Sequence, residues 1–183
     1  MGSGGMLAVG ALVQLLGSAA LQAADAVSCQ FAWDVSHEQA LFNGAAQTVA
    51  AGRALSAAPQ LEPNQLYELA LAPQEQVTFA VAPGKKMLSD GAYGGVAHVH
   101  IVQAGTYRVS LSAPFWVDLA SGAKPITSGD FTGSSHCDTP RKIVQFALPA
   151  GDLVLQLSGA TNAQVRVTIT SAPTSNAGTN AGH

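Results

Sequence analysis

From Leu66 onward, apolar side chains recur at every second position, the period of a half-buried β-strand. Leu66-Tyr-Glu-Leu-Ala-Leu-Ala reads as one strand, and Glu75-Gln-Val-Thr-Phe-Ala-Val predicts another with Val77, Phe79 and Val81 on one face. Val96–Val102 and Tyr107–Ser112 are expected as a hairpin joined at Gln103-Ala-Gly105. Phe115–Leu119, Ile143–Leu148, Leu153–Leu157 and Val165–Thr170 complete the set. Residues 84–95 and 121–140 are glycine-rich or polar and read as loops. Short strands with frequent turn signals, and no helical stretch able to bridge parallel strands, predict an all-β fold. The expected architecture is an antiparallel β-sandwich or jelly roll over residues 61–171.

The ends of the chain follow other patterns. Ser36-x-x-Gln39 has the form of a capping box, followed by Ala40-Leu-Phe42 and a stop at Asn43-Gly44. Residues 27–60 therefore read as an N-terminal cap with a short helix, and Pro59 and Pro63 interrupt regular structure near its end. Residues 172–183 are low-complexity and are expected to be a disordered tail. Residues 1–26 carry an apolar stretch from Met6 to Leu21, then an A-x-A site at Ala24-Asp-Ala26. That is the form of a signal peptide removed on export, and the stretch is shorter than the ~20 residues of a membrane span. A periplasmic or secreted protein is expected, with no membrane span in the mature chain.

Charge narrows the function classes. Charged residues are 10% of the chain, against about a quarter in ordinary soluble domains. The 8 Lys and Arg residues pair up only at Lys85-Lys86 and Arg141-Lys142, which is too few for a phosphate-tracking surface. Nucleic acid is thus excluded as a partner. In an exported chain, two cysteines allow one bridge, Cys29 to Cys137. Closing a loop of about 108 residues contributes roughly 4–5 kcal/mol in the chain-entropy picture. The alternative is a lipidated Cys29 after Ala26-Val-Ser, which would leave Cys137 unpaired.

Gly105-Thr-Tyr-Arg-Val-Ser-Leu and Pro149-Ala-Gly-Asp-Leu-Val-Leu-Gln-Leu-Ser-Gly each place a turn glycine before an alternating strand. Residues 66–171 thereby resemble the pre-peptidase C-terminal domains that accompany secreted bacterial hydrolases. Of that family's acidic strand only Asp118 is present. The chain also looks like exported proteins of Gram-negative bacteria. The resemblance implies a non-catalytic accessory β-sandwich, similar in architecture to carbohydrate-binding jelly rolls. Its expected partner is a glycan or another envelope protein.

Two pairs of residues carry candidate binding chemistry. His98 and His100 sit at i and i+2 of a strand, which places both imidazoles about 6–7 Å apart on one face. With a third ligand, such as His136 or Asp118, they could hold Zn²⁺ or Cu²⁺; otherwise they belong to a polar outer face. Trp116 and Asp118 also share a face, opposite Phe115, Val117 and Leu119. An indole beside a carboxylate suits a sugar ring, unless Trp116 packs under the N-terminal cap. The loop Ser89–Gly95 has a single Asp and is too poor in oxygen ligands for calcium. Ser128-Gly-Asp130 and Ser134-Ser-His136 place hydroxyls near acid and imidazole, but the chain has no Gly-x-Ser-x-Gly elbow. No catalytic residues and no cofactor are expected. The reading is a binding or accessory module, with metal binding at His98 and His100 or a structural interaction domain as the other classes.

Overall fold

The computed structural model describes residues 1–2, 29–85, 91–137 and 139–173. Nearly all of the expected signal peptide, the Ser89-Asp90 part of the loop and nearly all of the expected tail lie outside the described residues.

The alternating segments assemble into two facing six-stranded sheets. The first runs β1 (Gln47–Ala50), β3 (Tyr67–Ala70), β12 (Gln164–Ser171), β6 (Gly105–Leu111), β10 (Lys142–Leu148) and β9 (Ser128–Gly133). The second runs β2 (Gln60–Leu61), β5 (Tyr93–Ile101), β11 (Gly151–Ala160), β7 (Trp116–Ser121) and β8 (Lys124–Ile126), with β4 (Ala72–Pro73) also paired to β5. Val109, Leu111, Phe146, Val167 and Ile169 of the first sheet meet Val99, Ile101, Leu119, Leu155 and Leu157 of the second in one buried core. Fully burying a side chain of this size contributes about 1.5–3 kcal/mol, which makes this layer the main support of the fold. The all-β sandwich expected from the alternation is what forms. Among the described residues no helix is long and apolar enough to cross a membrane.

Three features depart from the expected pattern. The pairing is not wholly antiparallel: β1 pairs with β3, and β2 with β5, in parallel. Parallel partners need a long crossover. Here residues 51–66 supply one without a long helix, because the chain visits the second sheet at β2 before returning as β3. The segment expected as an irregular cap thus gives one strand to each sheet.

The predicted strand at 75–81 is not a strand. Gln74–Gln76 form a 3₁₀ turn, and Val77, Phe79 and Val81 lie against Val96, Ala120 and Val154 on the outer face of the second sheet. Gln156 takes the place of a strand partner. Its Oε1 accepts from the Val81 N–H at 3.0 Å, and its Nε2 donates to the Val81 carbonyl at 3.1 Å. Conversely, β8 and β9 form inside the polar stretch expected as loop. Both strands are largely exposed, so no apolar alternation marks them.

The short helix forms where expected, as α1 (Ser36–Phe42), on the outer face of the first sheet. Its entry is held differently: Ser36 makes no side-chain cap, and Asp34 Oδ1 instead accepts from the Ser36 N–H at 3.0 Å. Cys29 and Cys137 are bridged, with Cα atoms 5.2 Å apart, and tie the N-terminal segment to the loop between β9 and β10. Because its sulfur is in the bridge, Cys29 does not take the lipidated role.

Candidate functional site

The sandwich leaves a cleft of about 620 Å³ where β7 approaches β9 and β10. Strand parity explains what faces it. On β10, Lys142 shares the inward face with Val144 and Phe146, but it stands at the strand's end, where the core opens. Phe131 on β9 is the register partner of Val144. Since β9 is an edge strand, nothing covers the Phe131 ring fully, and the residue is 70% exposed. Phe115, Val117 and Trp116 form the opposite wall, and Ser128 and Ser134 add hydroxyls around the cleft.

Trp116 and Asp118 are on one face of β7, as the i, i+2 spacing requires. Trp116 Nε1–H donates to Asp118 Oδ1 at 2.9 Å, and Asp118 Oδ2 accepts from the Gly84 N–H at 3.1 Å. Both carboxylate oxygens therefore hold protein donors. Gly84 approaches so closely that a Cβ there would lie 2.8 Å from Asp118 Oδ1 and 3.3 Å from Trp116 Nε1. The Lys142 ammonium lies 5.3 Å from the centre of a Trp116 ring and donates to the Phe115 carbonyl at 2.8 Å. Of the pair expected as a sugar platform, Trp116 lines the cleft with a cation on one indole face, and Asp118, outside the lining, braces the indole N–H. The more exposed ring is that of Phe131.

Burial pushes the Lys142 ammonium below its usual pKa; the Lys85 charge acts in the same direction and Asp118 opposes it. A desolvated amine at the end of an apolar face, beside a second cation, is an environment characteristic of binding sites.

His98 and His100 lie on the outer face of β5. His98 Nε2 is 3.1 Å from the Leu55 carbonyl, and His100 Nδ1 is 2.6 Å from Asp152 Oδ1 on the neighbouring strand. A carbonyl or a carboxylate accepts here only from an imidazole N–H, so each contact fixes one ring nitrogen as a donor and leaves the other as the acceptor. Asp118 is held by Trp116 and Gly84, and His136 stands on the β9–β10 loop. No group of three or more His, Cys, Asp or Glu side chains converges among the described residues. Two ligands alone do not make a zinc or copper site.

The hydroxyl motifs make local backbone contacts. His136 meets Ser134 through its backbone N–H, at 3.2 Å from Oγ, and Asp130 Oδ1 accepts from the adjacent Phe131 N–H at 2.8 Å.

The candidate ligand residues that sequence reasoning passed over are Phe131, Lys142 and Lys85. Lys142 carried a legible signal: it is a lysine in phase with Val144, Phe146 and Leu148. Compared with known proteins, the chain matches no family model and no curated protein.

Proposed function

We propose that this chain is an exported, non-catalytic binding module that takes a glycan in the cleft between Trp116 and Phe131. The observation that carries this reading is the exposed Phe131 ring beside Trp116 and Lys142 in a cleft of about 620 Å³. Small-ligand sites generally occupy about 300–1,000 Å³ and combine an apolar lining with a few polar groups. A sugar ring offers an apolar C–H face to an aromatic ring and hydroxyls to its rim. Phe131 supplies the first partner; Ser128 and Ser134 supply the second. The concave shape favours a sugar over the flatter surface of an envelope protein. The Cys29–Cys137 bridge supports a working place outside the reducing cytoplasm. The accessory role implied by the resemblance to pre-peptidase C-terminal domains agrees with this reading.

Isothermal titration calorimetry with an oligosaccharide panel tests it. Heat from at least one oligosaccharide is expected, with an affinity tenfold or more weaker in Phe131→Ala, about 1.4 kcal/mol. No heat from any of them would remove the glycan reading.

A further inference from the structure

Resting on the glycan reading, we infer that the sugar taken by this cleft is acidic, its anionic group seated against Lys142 and Lys85. Both lysines line the same cleft. Among the described residues, neither ammonium has a carboxylate within ion-pair distance. The nearby carboxylate, Asp118, has given one oxygen to Trp116 and the other to the Gly84 backbone. Its charge offsets part of the local field, but Asp118 is not among the residues that line the cleft. Lys142 spends one N–H on the Phe115 carbonyl and rests against the Trp116 ring. An ammonium has three donors, so two remain. Its place is set from both sides, and an anion entering the cleft meets a donor that is already oriented.

The apolar part of the site excludes a bare inorganic anion as the natural occupant. Phe115, Val117 and Val144 make an apolar lining, and Phe131 stands exposed at the edge. A ligand that satisfies both halves carries an apolar ring face and a negative substituent on one molecule. A uronic acid and a sulfated sugar share that chemistry. Burial disfavours the charged form of Lys142, as does the charge of Lys85, and an anionic partner relieves both.

The test compares charge at constant shape on the full mature chain. Oligogalacturonate and its methyl ester present the same rings, and only the first is charged. A sulfated oligosaccharide and its desulfated form make the second arm. The charged member of at least one arm is expected to bind about tenfold tighter, the size of one charge-assisted hydrogen bond. Added salt is expected to erode that preference. In Lys85→Gln and Lys142→Gln the charged-to-neutral ratio is expected to fall toward one, with Lys142→Arg restoring it in part. The Lys85 variant keeps the test valid if loss of the Phe115 bond disturbs folding in the Lys142 variants. Equal affinity for charged and neutral sugars overturns the inference and leaves the glycan reading standing. Failure of every sugar to bind overturns both.

Discussion

Glu38 Oε1 lies 3.3 Å from Arg108 Nη1, and the two side chains are only 2% and 8% exposed. This ion pair joins α1 to β6 on the outer face of the first sheet. It has further partners: Thr170 Oγ1 donates to Glu38 at 2.9 Å, and Arg108 donates to the Asp34 carbonyl at 2.7 Å. Arg108 also stacks on Trp33, 5.0 Å from the ring centre. Removing one member of such a pair strands the other charge out of water. Glu38→Ala is therefore expected to cost about 3–5 kcal/mol in urea denaturation. An apolar double replacement, Glu38→Leu with Arg108→Met, is expected to recover most of that loss. A single variant as stable as the parent would show that α1 does not hold the pair closed.

Gln156, 1% exposed, does on the outer face of the second sheet what a strand would otherwise do, binding both backbone groups of Val81. Gln156→Leu would leave those groups without these bonds. The expected cost is about 1–3 kcal/mol, the penalty for unsatisfied buried polar groups. Faster amide exchange at Val81 and Gly84 is expected with it, because the same segment delivers Gly84 to Asp118. Unchanged exchange at both amides would mean that the apolar contacts of Val77 and Phe79 suffice.

How far the fold was legible depended on how each strand is used. The inward strands β3, β5, β6, β7, β10, β11 and β12 carry one apolar face, and their alternation is plain in the sequence. Strand β9, Ser-Gly-Asp-Phe-Thr-Gly, is an edge strand with one buried residue, so periodicity had nothing to report. Val77, Phe79 and Val81 alternate as a strand does, but their apolar side covers the outside of a sheet and their backbone answers to Gln156. The parallel pairs were unreadable because pairing direction depends on which sheet the chain enters, a long-range choice. The candidate site divides in the same way. The shared face of Trp116 and Asp118 follows from local spacing, whereas Phe131 and Lys142 join them only through register and the packing of two sheets.

Asp34 gives a pH dependence of known sign. The Ser36 backbone N–H, then the Ser36 side chain, hold its carboxyl below the usual aspartate range, against a small opposing effect of desolvation and with help from Arg108. A group whose folded pKa is depressed contributes stability above its unfolded value, about 3.9, and loses it as pH falls through the lower folded value. Melting temperature is expected to decline over that acid window, and Asp34→Asn is expected to shallow the decline. An identical acid limb in the variant would assign the loss to other carboxylates.

The Cys29–Cys137 bridge closes a loop with a sequence separation of 108. Its reduction is expected to lower unfolding free energy by roughly 4–5 kcal/mol, as loop entropy returns to the unfolded chain. Denaturant midpoints with and without dithiothreitol measure this. Coincident midpoints would mean that the bridge contributes nothing to stability.

The most direct test of the cleft as the ligand site uses the two tryptophans as reporters. Trp116 stands in the cleft wall, while Trp33 stacks on Arg108 on the outer face of the other sheet. In a ¹⁵N-labelled sample titrated with oligogalacturonate and the rest of the oligosaccharide panel, the Trp116 indole N–H resonance is expected to shift in step with binding while that of Trp33 stays fixed. Binding that moves Trp33 and leaves Trp116 untouched would contradict the account.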